Sequence, residues 1–157
     1  MVVIKSLQAA IPADFETARA LFVEYAQTLP LEDLEFQDFD GELASIESMY
    51  APPQGALLIA RDAVVAAGCV AARRHSDSVC EMKRLYVRDA FRGTGLGRRL
   101  AVEVIAVASH AGYRSMRLDT LPSMTAARTL YESLGFIRIE PYYDSPIEGM
   151  VFMELDL

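Results

Sequence analysis

The chain has 157 residues, 52% of them hydrophobic, and a formal net charge of −7. This length predicts one domain spanning residues 1–157, and the apolar content is sufficient for a single core. The negative charge argues against nucleic acid as a partner, and the lack of an apolar run of about 18 residues argues against a membrane span.

The N-terminal half of the chain alternates between apolar runs and turn residues. The predicted elements are a strand at residues 2–8, a helix that begins at Pro12 and ends at Pro30, an amphipathic helix at about residues 39–50, and strands at residues 55–60, 63–74 and 79–87. A turn at Arg61-Asp62 predicts that the first two of these three strands form a hairpin. All three are apolar enough to be central strands that are covered on both faces.

The C-terminal half begins with a helix at residues 96–111, which is apolar except for a stripe of Arg99, Glu103 and His110. Such a helix lies flat on a sheet. A strand at residues 115–121, a helix from Pro122-Ser123 to Leu134, and two strands within residues 136–143 and 149–157 follow. The order β α α β β β α β α β β predicts an α+β fold of three layers: a mixed, mostly antiparallel sheet of about seven strands with helices on both faces.

The stretch FRGTGLGRRL at residues 91–100 joins a strand to a helix and is the main functional signal. The first amides of a helix lack partners, and the helix dipole makes that end electropositive. Three glycines leave the backbone accessible to a ligand, and Arg92 and Arg98 can pair with phosphates. This pattern indicates a phosphate cradle, although a glycine-rich turn that merely lets the helix pack is the alternative. The glycine spacing fits neither the Walker nor the dinucleotide pattern.

Two motifs resemble the GNAT superfamily of acyl-CoA-dependent N-acyltransferases. RGTGLG at residues 92–97 matches the [R/Q]-x-x-G-x-[G/A] signature, and AARTLYESLGF at residues 126–136 is similar to a later helix of that family. The order of elements along the whole chain also resembles the family. The resemblance implies a GNAT-like fold and acetyl-CoA as co-substrate, with an acetyl group passing directly to an amine in a ternary complex.

The resemblance also implies which residues bind the cofactor. Pyrophosphate oxygens would contact the loop amides, which belong to Arg92, Gly93, Thr94, Gly95, Leu96, Gly97 and Arg98. The pantetheine arm would lie along the backbone of Leu85, Tyr86 and Val87, where an amide would polarise the thioester carbonyl. The family often carries an asparagine where this chain has Met124, so the resemblance implies no side-chain hydrogen bond to pantetheine from that position. Ser123 is the expected helix cap.

Two catalytic residues are expected from the same resemblance. Tyr131 matches a tyrosine near the thioester sulfur, and a phenol is protonated at neutral pH and can supply a proton. A core aromatic at helical spacing is the alternative. Glu81 is the candidate general base, expected on the same face of its strand as Leu85 and Val87. An exposed Glu81–Lys83 pair, with proton removal through water, is the alternative.

The acceptor is expected to be an amine of a small molecule or peptide, walled by the first two helices and the loop between them. Residues 20–60 contain eight acids and no Lys or Arg, whereas residues 81–99 contain six basic residues. The acidic stretch would attract a cationic amine, or it is simply a solvated face. Asp119, Thr120, Tyr142 and Tyr143 are further candidates for the acceptor side. A homodimer is common in the family, and the resemblance alone suggests one for this chain.

The cysteines and histidines predict neither metal nor disulfide chemistry. Cys69 and Cys80 lie in apolar surroundings typical of buried free thiols in a reducing compartment, and His75 and His110 are scattered. The first ten residues lack the features of a signal peptide, so a cytoplasmic enzyme without a metal is expected. Cys80, beside Glu81, is the one candidate for a covalent acyl-enzyme. A non-catalytic acyl-CoA sensor and an unrelated nucleotide-binding regulator remain as alternative functions.

Overall fold

One mixed seven-stranded sheet organises the molecule in the computed structural model, which describes residues 1–6 and 12–157. The strands are β1 Val2–Ser6, β2 Ala56–Asp62, β3 Val65–Arg74, β4 Val79–Val87, β5 Ser115–Thr120, β6 Ile137–Ile139 and β7 Val151–Asp156. Their order across the sheet is β1-β2-β3-β4-β5-β7-β6. The pair β4–β5 is parallel and the other neighbouring pairs are antiparallel, which confirms the predicted sheet.

Helices cover both faces of the sheet, as predicted. They are α1 Pro12–Ala26, α2 Leu31–Phe36, α3 Phe39–Ala44, α4 Ile46–Met49, α5 Leu96–His110 and α6 Thr125–Ser133. The back face is the one where Leu100 and Val104 of α5 and Tyr131 of α6 join the core. The front face is the one where Leu21 and Phe22 of α1 join a second core. The solvent side of α5 is wider than predicted, since Val102 is also exposed.

The predicted single helix at residues 39–50 is wrong. The structure has α3 and α4 there, separated at Ser45, and the additional helix α2 before them. Asp38 begins α3 in a left-handed conformation, and its side chain accepts a hydrogen bond from the Gly41 amide. Helices of four to six residues leave too little periodicity to be recognised in a sequence.

Three predicted boundaries also move. The hairpin turn lies at Ala63 and Val64, because β2 continues through Asp62. Helix α1 ends at Ala26, and a turn connects it to Pro30. Helix α6 begins after Met124 without a side-chain cap, so the expected Ser123 cap is wrong. The end of the first predicted strand, at residues 7 and 8, lies outside the described residues.

A β-bulge in β4 reverses the side-chain alternation of that strand. Cys69 pairs with Tyr86 and Ala71 pairs with Lys83, so three steps along β4 oppose two along β3. The extra residue is Arg84, whose φ is +58°. A Cβ at Gly68 would overlap the Tyr86 carbonyl oxygen, so β3 can approach the bulge closely only because this residue is glycine.

Strand β4 parts from β5 after Glu81, three residues before the bulge at Arg84. Their ladder joins Val79 to Ser115, Cys80 to Met116 and Glu81 to Arg117, and no further pairing follows among the described residues. The stretch of β4 from Met82 to Val87 therefore presents an unpaired backbone edge towards β5. Such an edge is able to accept an added extended chain through backbone hydrogen bonds.

A buried ion pair holds the bulge in place. The Arg84 guanidinium donates to both carboxylate oxygens of Glu42, at 3.1 and 2.5 Å, and the two side chains are 4% and 3% exposed. The Tyr50 hydroxyl donates to the same carboxylate, and the guanidinium lies over the Phe39 ring. Burial alone would raise the pKa of Glu42, but the hydrogen bonds and charge of Arg84 outweigh it and lower that pKa.

This pair predicts a specific acid sensitivity. Because the pKa of Glu42 is lowered on folding, the unfolded chain takes up the proton first, near its ordinary pKa of 4.5. The stabilisation is therefore complete above that pKa and is lost as the pH falls through the lower pKa of the folded state. The free energy of unfolding of the variant Glu42→Gln should be about 3–5 kcal/mol lower than that of the wild type at pH 7. It should also fall less steeply as the pH decreases.

The measurement is urea unfolding between pH 7 and pH 3.5. The matched control is Glu47→Gln, which removes a carboxylate that is 60% exposed and bonded to Arg19. It should change the free energy of unfolding by less than about 1 kcal/mol. If the free energy of unfolding of Glu42→Gln fell with decreasing pH as steeply as that of the wild type, Glu42 would not be the source of the acid sensitivity.

Candidate active site

The parting of β4 and β5 opens a cleft through the sheet. It holds a cavity of about 30 Å³ whose lining includes Tyr25, Leu85, Leu118, Asp119 and Tyr131. The front-face helix α1 contributes Tyr25, and the back-face helix α6 contributes Tyr131. The cleft therefore brings together the unpaired edge of β4 and the tyrosine that the sequence indicated.

Tyr131 has the properties of a proton donor. It is 7% exposed and its ring packs against Phe136, with centroids 5.7 Å apart. Its hydroxyl makes no hydrogen bond with any residue in 1–6 or 12–157, so the proton remains available to a ligand. Burial raises the pKa of Tyr131 well above its ordinary value, which keeps the phenol protonated at neutral pH.

The glycine-rich loop lies between β4 and α5. Gly93 and Gly95 have φ values of +73° and +79°, and a Cβ at either position would meet nothing within 4 Å. These glycines are therefore required for the backbone conformation, and the space beside them is open. Gly95 begins α5 without a side-chain cap, and the Thr94 hydroxyl bonds to the Phe91 carbonyl instead.

The two arginines that flank the glycines already make hydrogen bonds or an ion pair within the protein. Arg92 donates from Nε to the Val87 carbonyl and pairs with Asp89 at 2.8 Å. Arg98 donates to the Ser133 hydroxyl of α6 at 2.7 Å. An uncapped helix start with bare glycines and flanking guanidinium groups has the chemistry to hold a phosphate group. The residues at this loop thus fit the diphosphate of coenzyme A.

Glu81 is placed differently from the prediction. It bonds to Arg73 at 2.9 Å and accepts from the Tyr142 hydroxyl at 2.6 Å, on the front face. Leu85 and Val87 pack on the back face, because the bulge at Arg84 intervenes. The expected shared face is therefore wrong. Burial alone would raise the pKa of Glu81, but Lys83, Arg73 and Tyr142 together lower it.

The alternative of an exposed Glu81–Lys83 pair is also wrong. Glu81 is 3% exposed and Lys83 is 5% exposed. The Lys83 ammonium donates to Gln37 at 3.0 Å and lies 3.8 Å from Asp119. Burying a charged group costs free energy unless it is paired or hydrogen-bonded, and polar contacts offset that cost in this part of the sheet.

The acceptor candidates gather on the front face, beside the cleft. The Tyr143 hydroxyl donates to Asp119, and its ring stacks on Phe36 of α2 at 5.6 Å. Tyr142 packs edge-on against Tyr143. Asp119 lines both the cleft cavity and a second cavity of about 20 Å³, which we call the adjoining cavity.

Seven lining residues of the adjoining cavity were not singled out for the site from the sequence. They are Tyr25, Leu29, Asp33, Gln37, Arg84, Leu121 and Met150. Thr120 and Met124, which were singled out, also line it. Asp33 stood in the sequence as one of eight acids, and only the packing of α2 distinguishes it from the others.

The cysteines offer no nucleophile. Both are buried free thiols, and burial raises the pKa of Cys80 to about 12. A thiol with so high a pKa is not ionised at neutral pH. His75 lies in the loop between β3 and β4, and His110 ends α5. Within the described residues, no helix is both long and apolar enough to cross a membrane, and no three His, Cys, Asp or Glu side chains cluster as a metal site.

The comparisons with known proteins agree with this geometry. Residues 16–136 match the model of the acetyltransferase (GNAT) family. An uncharacterized N-acetyltransferase of Schizosaccharomyces pombe is 44% identical over 149 residues, which are 94% of this chain and 91% of that protein. An N-acetylaspartate synthetase of Danio rerio is 35% identical over 119 residues, which are 73% of this chain but 42% of the relative's length.

A solved structure shows the same fold. The acetyltransferase yncA of Salmonella typhimurium, described as putative and determined with acetyl-CoA, superposes with a TM-score of 0.68 at 20% identity, covering 99% of this chain and 93% of that one. Taken with the matched family model and the S. pombe relative, the sheet, the glycine-rich loop and the cleft lead to one conclusion. The chain belongs to the GNAT family of acetyltransferases and is an enzyme of that class.

Proposed function

We propose that this enzyme transfers the acetyl group of acetyl-CoA to an amine of a small molecule or peptide, by direct attack in a ternary complex. The observation that carries the proposal is the cleft itself. Its lining includes Leu85 from the unpaired edge of β4, Tyr131 from α6 and Asp119 from the front face, and this combination supports the proposal. The absence of an ionised thiol supports direct attack over an acyl-enzyme.

Acetyl-CoA supplies a thioester with an electrophilic carbonyl carbon and a thiolate leaving group. The amides from Arg92 to Arg98 would hold its diphosphate at the start of α5. The backbone of Leu85, Tyr86 and Val87 would bond the pantetheine arm, and an amide there would polarise the carbonyl. Arg92 donates a hydrogen bond to the Val87 carbonyl, so at this end of β4 the backbone amides are more available to the pantetheine arm than that carbonyl.

Tyr131 would donate its proton to the departing sulfur. Tyr131 lines the cleft together with Leu85, and its raised pKa keeps the hydroxyl protonated until the sulfur departs. Burial in the same low-dielectric cleft also raises the pKa of the departing thiol, so the thiolate can take the proton as it forms. A proton from solvent then returns Tyr131 to its phenol form after the products leave.

Glu81 is proposed as the acceptor of the amine's proton. Its carboxylate stays ionised, because the pKa is lowered, and it connects to the front face through Tyr142. A lowered pKa weakens a base, and both oxygens are already bonded. The competing role is therefore to position Tyr142 while water removes the proton.

The activity is proposed for the whole chain, residues 1–157, in the cytoplasm, where buried thiols such as Cys69 remain reduced. L-aspartate belongs in the acceptor screen, since the name of the D. rerio relative identifies an enzyme that makes N-acetylaspartate. The homodimer that is common in the family stays a proposal.

Calorimetric titration should show saturable binding of acetyl-CoA that neither ATP nor NAD reproduces. The variant Gly95→Ala should weaken that binding at least about fivefold, because an L-residue is strained at φ +79° and its Cβ obstructs the ligand's approach. Gly112→Ala is the matched control: its φ is +95°, a Cβ there also meets nothing within 4 Å, and it follows the opposite end of α5. If no CoA ester binds, the proposed function fails.

Tyr131→Phe should lower kcat about 100-fold and leave the Kd of acetyl-CoA nearly unchanged. The hydroxyl makes no hydrogen bond within the described chain, so the free energy of unfolding should not fall. Tyr113→Phe removes a hydroxyl that bonds to the Gln54 carbonyl away from the cleft, and should keep full activity. An active Tyr131→Phe enzyme would assign Tyr131 to packing alone.

Glu81→Gln should lower kcat about 100-fold if Glu81 accepts the proton. Arg73→Gln breaks the same ion pair but keeps the carboxylate, and Tyr142→Phe removes the hydroxyl that bonds to it. Both should be at least about tenfold more active than Glu81→Gln. Equal losses in Glu81→Gln and Tyr142→Phe would instead assign Glu81 to positioning Tyr142.

A further inference from the structure

Two of the residues that line the adjoining cavity carry a buried polar atom without a partner among the described residues. Asp33 is 2% exposed and Thr120 is 5% exposed, and both line the cavity. Asp33 Oδ1 and Thr120 Oγ1 have no hydrogen-bond partner among residues 1–6 and 12–157. Buried polar atoms in native proteins nearly always have partners, so two such atoms at one cavity indicate a site for a bound group.

The unpartnered carboxylate also lacks an opposite charge. Asp33 Oδ2 accepts from the Gln37 amide at 2.8 Å, while Gln37 Oε1 accepts from Lys83 and Arg84. Gln37 thus stands between Asp33 and both cations, and Asp33 forms no ion pair within the described chain. A buried anion without a counter-charge is costly, and a cationic ligand removes that cost.

The other groups at the cavity suit an ammonium group on an aliphatic carbon. The carboxylate of Asp119 lies 3.8 Å from Lys83, and this loose contact leaves an acceptor at the same cavity. Three donors of an ammonium group match three oxygens, from Asp33, Thr120 and Asp119. Leu29, Met124 and Met150 supply apolar walls, and methionines adapt to varied alkyl shapes.

We propose that Asp33 and Thr120 form the subsite for the ammonium group of a primary alkyl amine acceptor. The inference rests on the proposed function, because it identifies the class of acceptor that reaches the cleft. Asp119 and Tyr25 line both cavities, so an amine held at Asp33 lies next to the position of the thioester. The Asp33 carboxylate binds the incoming ammonium group and Thr120 directs it, and the ammonium gives up its proton to Glu81 or to water before the neutral nitrogen attacks the thioester carbonyl.

The test uses four forms of the full chain: wild type, Asp33→Asn, Thr120→Val and Glu35→Gln. Both site variants nearly keep the original shape, and the Asp33→Asn side chain keeps an amide oxygen that can accept from Gln37. Neither removes a hydrogen bond of Asp33 Oδ1 or Thr120 Oγ1, because those atoms have no partner in the described chain. Glu35 is an exposed carboxylate on the same helix and serves as the matched control.

The acceptor probes are putrescine, ethanolamine, L-lysine and L-aspartate, each at saturating acetyl-CoA. For every probe that wild type acetylates, Asp33→Asn should raise KM about tenfold to a hundredfold, and Thr120→Val about fivefold. The Kd of acetyl-CoA, measured by calorimetry, should stay within about twofold. The urea midpoint of both variants should equal or exceed that of wild type, since each removes a costly buried group. Glu35→Gln should match wild type throughout.

Three outcomes would overturn the subsite. An unchanged KM in Asp33→Asn would do so directly. A rise in KM that accompanies an equal loss of acetyl-CoA affinity and of stability would show a structural role only. If wild type binds acetyl-CoA but acetylates none of the four probes, the primary alkyl amine class is wrong while cofactor binding stands. Failure to bind any CoA ester would instead refute the proposed function itself.

Discussion

The buried pair between Arg84 and Glu42 is the interaction on which the rest of the site depends. Arg84 is the extra residue of the β4 bulge, and Glu42 holds its side chain on the front face. With that side chain fixed, the backbone beyond it is turned so that Leu85 and Val87 face the back core. The edge of β4 from Met82 onwards, which includes the bulge, has no pairing with β5 among the described residues, and it is the edge proposed to bind the pantetheine chain. A residue in a left-handed conformation is strained, and the ion pair offsets that strain.

The glycine-rich loop and the helix of Tyr131, which form the proposed cofactor side, could be located from the sequence because their signals are local. Glycines before a helix, flanked by arginines, specify an anion site within a single turn of chain, and the helix that carries Tyr131 is marked by its own short motif. The acceptor side could not be predicted in the same way. Its residues come from α1, α2, β5 and the segment before β7, so its geometry exists only after the sheet has formed.

The misplaced face of Glu81 shows the same limit in one strand. Alternation along β4 correctly places Glu81 and Lys83 on the same face of the sheet. The bulge then adds one residue, so every later side chain of the strand lies on the face opposite to the one predicted. Nothing at Arg84 marks a bulge in the sequence, since arginine is an unusual residue for φ +58° and is held there by Glu42, 42 positions away. The short helices at residues 31–49 also make contacts distant in sequence, since Gln37 after α2 bonds to Lys83 and Glu42 of α3 bonds to Arg84.

The uneven charge of the sequence is largely resolved by the fold. Glu24, Glu42 and Glu47 bond to Arg88, Arg84 and Arg19, so much of the acidic stretch neutralises basic residues rather than waiting for a ligand. Exposed acids such as Glu35 are solvated. What remains is Asp33, which is buried, forms no ion pair among residues 1–6 and 12–157, and lines the cavity that adjoins the one lined by Tyr131. Solvated acids on a surface attract any cation and do not discriminate between amines. A single buried carboxylate can discriminate, because only a cation that fits the cavity can offset its charge.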